Sequence, residues 1–185
     1  LRAATQIVAA VDLPVTVDFE SGYSADPAQV QAHAAALIAT GAVGLNLEDR
    51  NIGGNGLFDV GAQAAKIAAV RAAADAAGVP FYINARTDVF LDEIHDDDDT
   101  SVADVLTRAA AYADAGASGL FVPGLLDLGR IAEICTAQPL PVNVLRMGND
   151  APDIAALAKA GVARISHGPD PYRAMVNWIA QTAAT

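Results

Sequence analysis

The sequence has one cysteine and half as many basic as acidic residues, and each shortage argues against a class of protein. Cys135 is the only cysteine among 185 residues, so no disulfide can form within the chain, and we expect a reducing, cytoplasmic environment. Eleven Lys and Arg stand against 22 Asp and Glu, which gives a net charge of -11. Because phosphate binding needs clustered basic side chains, this balance argues against nucleic acid and anionic lipid as partners.

Long apolar runs are also absent. No stretch approaches the roughly 20 apolar residues that a membrane-spanning helix requires, and no signal-peptide pattern opens the chain. Hydrophobic residues nevertheless make up 53% of the chain, which is enough for one core. The length favours a single domain over residues 1–185. We therefore expect a soluble protein that binds a small molecule rather than a membrane.

Four glycines punctuate the sequence at similar intervals. Gly41, Gly78, Gly116 and Gly161 each follow an alanine-rich run and precede a short apolar run. Glycine just past a helix supplies the left-handed residue that ends it. The repeat therefore predicts alternating helices and strands, in units of βα size rather than short solenoid repeats.

This alternation predicts seven helices and six strands. The helices cover residues 1–11, 26–40, 59–77, 101–115, 127–137, 151–160 and 170–183, and the strands cover residues 14–19, 43–48, 80–86, 118–122, 141–145 and 163–166. Strict βα alternation requires a parallel sheet with right-handed crossovers. An open doubly wound sheet and a (β/α)8 TIM-type barrel both satisfy this requirement.

The barrel is the favoured architecture, because polar residues end nearly every predicted strand, whereas an open sheet concentrates them at one switch point. Six strands are two short of a closed barrel. The chain begins with Leu1 rather than Met, and its opening run looks like the second half of a helix. We therefore expect the first two strands to be missing, upstream of Leu1, so that the single barrel domain is N-terminally incomplete.

Polar side chains end strands that would otherwise be apolar. They are Asp18 and Glu20, Asn46 and Glu48, and Asn84 and Arg86 on three successive strands, with Asn143 on a later one. Residues two apart on a strand point the same way, and neighbouring strands lie about 4.8 Å apart. These groups can therefore converge on one small volume at the carboxyl end of the sheet.

Three carboxylates in that volume repel one another unless a cation lies between them. Oxygen-only ligands suit a hard divalent ion, and Mg²⁺ takes one or two carboxylates while keeping several waters. Arg86 would hold a substrate carboxylate through its planar guanidinium. The set predicts a site for a small anionic substrate that stabilises an enolate. The alternative is a structural network that only ties the strand ends together.

Two loops beside these strand ends have more than one interpretation. Residues 50–56 contain three glycines and follow Glu48, so they are either a mobile lid over the site or an ordinary turn. They lack the spacing and the lysine of a phosphate-binding P-loop. Residues 166–169 end the last strand and open a helix, where an anion could sit on the helix N-terminus; a simple turn is the other interpretation.

Five short motifs occur in an order that resembles the isocitrate lyase/phosphoenolpyruvate mutase superfamily. They are residues 18–23 (Asp-Phe-Glu-Ser-Gly-Tyr), 47–49 (Leu-Glu-Asp), 85–88 (Ala-Arg-Thr-Asp), 121–124 (Phe-Val-Pro-Gly) and 141–144 (Pro-Val-Asn-Val). The resemblance runs from about residue 12 to residue 173. Each motif is short, but five in sequence are specific.

The resemblance implies a barrel that binds Mg²⁺ or Mn²⁺ and breaks or rearranges C–C or P–C bonds in 2-oxo or 2-hydroxy acids through enolate-like species. It also implies a homo-oligomer, commonly a tetramer that exchanges a C-terminal helix. By position, Asp18 would be the direct metal ligand, and Glu20 and Glu48 would act through metal-bound water.

The resemblance also assigns residues to the substrate. Arg86 would bind its carboxylate or phosphonate, and Asn143 would line the pocket, so that these two and Glu48 form the catalytic set. Asn84, Gly22 and Tyr23 are the remaining candidate substrate contacts.

Residues 50–56 depart from the named members of the superfamily. Isocitrate and methylisocitrate lyases carry a Lys-x-Cys-Gly-His-type lid with a catalytic cysteine, and phosphoenolpyruvate mutases carry Lys and Asn there, whereas this segment has neither Lys nor Cys. The chain looks more like the small uncharacterised members often labelled carboxyvinyl-carboxyphosphonate phosphorylmutases. Three hypotheses follow: a Mg²⁺-dependent lyase acting on a C–C bond of a small dicarboxylate, a phosphonate mutase or phosphorylmutase, and a non-catalytic barrel that binds a carboxylate.

Overall fold

The computed structural model describes residues 1–51, 53–91, 99–148 and 150–183, and helices and strands alternate along them. The helices are α1 (Arg2–Ala10), α2 (Pro27–Ile38), α3 (Val60–Ala77), α4 (Asp99–Asp114), α5 (Leu128–Ala137), α6 (Ile154–Lys159) and α7 (Asp170–Ala183). The strands are β1 (Thr16–Asp18), β2 (Gly44–Glu48), β3 (Tyr82–Arg86), β4 (Gly119–Val122), β5 (Val142–Leu145) and β6 (Arg164–Ser166). Each predicted helix and strand is present, with ends that differ by a few residues.

The ends of the helices follow local chemistry. The repeated glycines Gly41, Gly78, Gly116 and Gly161 all have positive φ, as the punctuation predicted. Gly78 is the left-handed C-cap of α3, with φ 66°. Helix α6 begins three residues later than predicted, because the Asp153 side chain accepts a hydrogen bond from the Ala156 backbone N–H (2.7 Å) and so fixes the first turn there.

The six strands form one parallel sheet in the order of the chain, β1-β2-β3-β4-β5-β6. A doubly wound sheet reverses its strand order at a switch point, and this sheet does not. The result is a curled half-barrel, consistent with part of a TIM-type barrel. The two further strands that would close it stay a prediction.

The register of the strands gives the sheet one apolar face and one polar face. Leu45, Ile83 and Leu120 belong to the row that is fully buried beneath the helices. The alternating positions belong to the concave face, which is the interior of the half-barrel. There, Asp18 pairs with Asn46, and Asn46 with Asn84; one layer higher, Glu48 pairs with Arg86, Arg86 with Phe121, and Phe121 with Asn143.

In the described part of the chain, no helix is both long enough and apolar enough to cross a bilayer.

Candidate active site at the carboxyl ends of the strands

A cavity of about 290 Å³ lies on the concave face at the carboxyl ends of the strands. Every strand contributes one lining residue: Asp18, Asn46, Arg86, Phe121, Leu145 and Ser166, in the order β1 to β6. The turn that follows β6 closes one side with His167, Gly168 and Pro169. This volume is at the lower end of the range for ligand pockets, so the cavity suits a small molecule.

Arg86 stands on this cavity wall and is already paired with two carboxylates. Its Nη1 lies 3.0 Å from Glu48 Oε2, and Asp88 accepts from its Nε (2.5 Å) and Nη2 (2.9 Å). Burial alone lowers the pKa of Arg86, but hydrogen bonding to Asp88 and the charges of Asp88 and Glu48 outweigh burial and raise it. The guanidinium is therefore charged, and its Nε–Nη2 edge faces Asp88 rather than the cavity.

Two further acids, Asp18 and Glu20, interact electrostatically with Glu48 at this end of the sheet. Burial, and then the charges of Asp88, Asp18 and Glu20, raise the pKa of Glu48 to about 7, although Arg86 opposes the shift. Partial burial raises the pKa of Tyr23, and the charges of Glu20, Asp18 and Glu48 add to this effect. The Glu48 backbone N–H donates to the Glu20 carbonyl (2.9 Å), which ties the loop after β1 to β2.

These acids fit a divalent cation by the chemistry of their donors. Asp18 lines the cavity and supplies carboxylate oxygens, and Mg²⁺ is commonly bound by one or two carboxylates together with waters. Among the residues that the structure describes, no three His, Cys, Asp or Glu side chains approach closely enough to hold an ion jointly. An ion here would therefore have no more than two such side chains of the described residues as direct ligands, and any other acid would reach it through water.

The asparagines predicted to bind substrate lie behind the cavity wall. Asn84 is 1% exposed, and its Nδ2 donates to Asn46 Oδ1 (2.8 Å). Asn143 is equally buried, and its Nδ2 donates to Ser166 Oγ (3.2 Å). In both cases the partner, not the predicted residue, lines the cavity. Alternation along the strands predicted on which face of the sheet these side chains lie, but not how deeply each one is buried.

Gly22 and Tyr23 lie outside this cavity. Tyr23 is 66% exposed and lines a neighbouring cavity of about 280 Å³ with Ser21, Asn51 and Phe58. Gly22 has φ 85°, and a Cβ there would meet the Val30 methyl groups at 3.0–3.1 Å. The structure therefore gives Gly22 a packing role, and places Tyr23 beside the site rather than in it.

A buried network beneath the site escaped prediction from the sequence. Asp49 is fully buried, and its Oδ2 accepts from Arg108 Nη1 (3.1 Å) and from the Tyr112 hydroxyl (2.9 Å). Its Oδ1 accepts from the Asp88 backbone N–H (3.0 Å), which ties the end of β2 to the loop that follows β3 and Arg86. The available signal was the pairing of Arg108 and Tyr112 one turn apart on an alanine-rich helix.

The segment after β2 folds back on itself, so that its two ends lie side by side. Arg50 and Leu57 form an antiparallel bridge, and the Phe58 backbone N–H donates to the Asp49 carbonyl (2.7 Å). Asn51 and Phe58 line the cavity next to Tyr23. Ile52, within the predicted lid 50–56, lies outside the described residues, and the role of this segment as a lid stays a prediction.

Comparisons with known proteins agree with the overall fold. The family model described as phosphoenolpyruvate phosphomutase matches residues 1–185. A solved structure from Burkholderia cenocepacia J2315, provisionally assigned as a phosphonomutase, is 49% identical with a TM-score of 0.93, over 99% of this chain and 73% of that one. An uncharacterized protein of Mycobacterium tuberculosis is 36% identical over 86% of this chain and 56% of its own length.

An oxaloacetate decarboxylase of Pseudomonas savastanoi pv. phaseolicola is 29% identical, over 95% of this chain and 60% of its own length. The chain thus spans about 56% to 60% of the length of these curated relatives.

Proposed function

Because this chain belongs to the phosphoenolpyruvate mutase/isocitrate lyase superfamily, we propose that it is a Mg²⁺-dependent lyase that cleaves a C–C bond in a small 2-oxo or 2-hydroxy dicarboxylate through an enolate-like intermediate. The observation that carries the proposal is the small cavity with Asp18 and Arg86 on its wall. The relative named oxaloacetate decarboxylase acts, by its name, on a 2-oxo dicarboxylate, which is the substrate class that this cavity suits.

Asp18 would hold the ion directly, and Glu20 and Glu48 would hold its water ligands. The bound ion, Mg²⁺ or Mn²⁺, would supply Lewis acidity to the substrate oxygen on which negative charge develops. Glu48 also fixes Arg86, since the two side chains are 3.0 Å apart. Its carboxylate therefore links the cation site to the substrate site.

Arg86 would bind the substrate carboxylate with the guanidinium hydrogens that Asp88 and Glu48 leave free. Asn143 would act by orienting Ser166, and Asn84 by orienting Asn46, because each donates to that partner. Phe121 and Leu145 supply the apolar part of the wall, which limits the access of water to the developing charge. Tyr23 and Gly22 remain candidate contacts from the adjacent loop.

Turnover of a panel of 2-oxo and 2-hydroxy acids, including oxaloacetate, tests this function. We expect one member to be cleaved with Mg²⁺ and excess chelator to abolish the reaction. Arg86→Lys keeps the charge but loses the planar fork, so we expect kcat/KM to fall about a hundredfold. Arg173→Lys on α7 is the matched control. Because oxaloacetate decarboxylates slowly with Mg²⁺ alone, the Asp18→Asn protein provides the background rate.

The proposal is wrong if no acid in the panel is turned over above that background. A chain that binds oxalate, an enolpyruvate mimic, but turns over nothing would instead be a non-catalytic carboxylate-binding barrel.

A phosphonate mutase or phosphorylmutase is the second candidate, favoured by the 49% identical relative that carries a provisional phosphonomutase assignment. The same cavity would then hold a phosphonate on Arg86. Incubation with phosphonopyruvate followed by ³¹P NMR separates the candidates. A new phosphorus resonance supports the mutase, and an unchanged spectrum counts against it.

We propose further that the protein acts in the cytoplasm as a homo-oligomer, tetrameric as in the superfamily. Its one cysteine fits a reducing compartment. Helix α7 supports self-association, because its large apolar side chains are exposed; Trp178 is 66% accessible in the single chain.

A further inference from the structure

Lys66 is a buried cation that the proposed function does not use. It lies on α3, is fully buried, and its Nζ has no hydrogen-bond partner among the described residues. The ammonium lies 4.0 Å from the centroid of the Phe58 ring, a cation–π contact. The only other lysine of the chain, Lys159, is exposed.

Phe58 lies at the end of the segment after β2, where that segment meets Asp49 again. Its backbone N–H donates to the Asp49 carbonyl (2.7 Å), and its carbonyl accepts from Arg108 Nη1 (3.0 Å). Arg108 Nη1 also lies 3.1 Å from Asp49 Oδ2. Phe58 is therefore held by Arg108 through its backbone and by Lys66 through its ring, and both cations lie on the helix side of β2.

The charge of Lys66 faces the carboxylates at the end of β2. Burial lowers the pKa of Lys66 to about 8, and the charges of Asp49 and Glu48 oppose that shift. The side chain is therefore largely charged at neutral pH, while no residue within the described ranges accepts a hydrogen bond from it. An apolar side chain of similar shape in such a position is often neutral or stabilising, so stability alone does not account for a lysine here.

We propose that Lys66 is a positioning residue, which holds the Phe58 ring and thereby fixes the 49–58 segment and the adjoining Glu48 carboxylate at the end of β2. The part that concerns Glu48 rests on the proposed function, because Glu48 is there assigned to the cation site. The part that concerns the segment does not. Lys66 is on α3 and does not line the cavity that holds Asp18 and Arg86, so its effect would pass through Phe58 and through its charge interaction with Asp49 and Glu48.

Replacing Lys66 by methionine tests the proposal, because Lys66→Met removes the charge and keeps the length of the side chain. We expect amide hydrogen exchange, read by mass spectrometry, to become faster in residues 49–58 without a lower thermal unfolding midpoint. Phe58→Leu, which removes the ring but leaves the lysine, should raise exchange in the same residues. Lys159→Met is the matched control and should leave exchange unchanged.

Two results would overturn the proposal. One is unchanged exchange in residues 49–58 in both Lys66→Met and Phe58→Leu. The other is faster exchange throughout the chain with a lower unfolding midpoint, which is the signature of a purely structural lysine. If Lys66→Met does not fold, the purely structural role is established and the proposal fails.

Mn²⁺ binding by electron paramagnetic resonance separates this proposal from the proposed function. Removal of the Lys66 charge by itself favours a cation near Glu48. We expect the loss of order in the segment that adjoins Glu48 to outweigh this effect, so that Lys66→Met weakens Mn²⁺ binding about tenfold. If the unaltered protein binds no Mn²⁺, the proposed function fails and exchange alone decides the role of Lys66. If the unaltered protein and Lys66→Met bind Mn²⁺ equally, the link from Lys66 to Glu48 is wrong.

Discussion

Glu48 connects the two halves of the proposed site. It is 4% exposed, lies 3.0 Å from the Arg86 guanidinium and shares the field of Asp18 and Glu20. A carboxyl that is desolvated among other acids binds its proton more tightly than usual. A cation competes with that proton, since ligating or water-holding carboxylates must be ionised. In the proposed function, the charge of Glu48 would therefore set the pH at which the site binds its cation.

We expect Mg²⁺ affinity to rise with pH through the pKa of Glu48, which is about 7. Because this pKa is raised in the folded protein, the folded state holds the extra proton between the usual value of about 4.5 and about 7. The free energy of unfolding therefore falls as pH rises through that window, because Glu48 then ionises in its buried position. Calorimetric titration one pH unit below and one above 7 measures the rise, and Glu48→Gln should flatten it. An equal pH dependence in Glu48→Gln would contradict the role of Glu48.

At this scale, the sequence predicted which residues end the strands but not how each is engaged. Alternation with a period of two placed Asp18 and Arg86 on the polar face, where the cavity lies. Asp88 follows Arg86 by two residues, so alternation places both side chains on the same side. Alternation does not show that Asp88 takes the Nε–Nη2 edge of the guanidinium, and only the structure reveals this pairing.

Among the elements, β2 and α4 are joined by the Asp49–Arg108–Tyr112 network. Arg108 and Tyr112 are 59 and 63 residues from Asp49 in sequence, so only the tertiary fold, in which α4 packs against α3, brings them together. Local signals, such as N-cap aspartates and C-terminal glycines, predicted the helices well because they depend on neighbouring residues. Contacts between elements depend on the whole sheet, and these the sequence did not reveal.

We expect loss of this network to destabilise the fold, and the cost depends on whether the buried Asp49 carboxylate loses a hydrogen bond or its cation. Tyr112→Phe removes one hydrogen bond to the Asp49 carboxylate and should lower the free energy of unfolding by about 1–2 kcal/mol. Arg108→Met leaves that buried carboxylate without its cation and should cost about 3 kcal/mol or more.

Urea denaturation measures both changes, with the exposed Arg173→Met as the control. If both network variants unfold within about 0.5 kcal/mol of the unaltered protein, as surface substitutions do, the network does not support the sheet.

At the scale of the whole molecule, the sequential strand order decides between the two architectures that alternation allowed. Six neighbouring strands in chain order curl into a half-barrel, and the concave face then gathers one residue from each strand around one cavity. The sequence could predict this because each βα unit repeats the same punctuation. Because the units are alike, the repeat does not show which strand end carries which functional side chain.

Helix α7 presents its apolar side chains to solvent in the single chain, among them Tyr172, Met175 and Trp178. We expect the protein to self-associate through this helix, because burying such side chains is favourable. Size-exclusion chromatography with light scattering should give a multiple of 18.9 kDa. Trp178→Glu should shift the protein towards the single-chain mass, and an unaltered protein that is monomeric at all concentrations would contradict the expectation.

The proposed function requires a divalent cation held by Asp18 at the carboxyl end of β1. Isothermal titration calorimetry with Mg²⁺ measures this directly, with Asp18→Asn as the variant and the exposed Asp12→Asn as its matched control. We predict that the unaltered protein and Asp12→Asn bind Mg²⁺ and that Asp18→Asn does not. Equal Mg²⁺ binding by Asp18→Asn and the unaltered protein, or none by either, would contradict the assignment of this site.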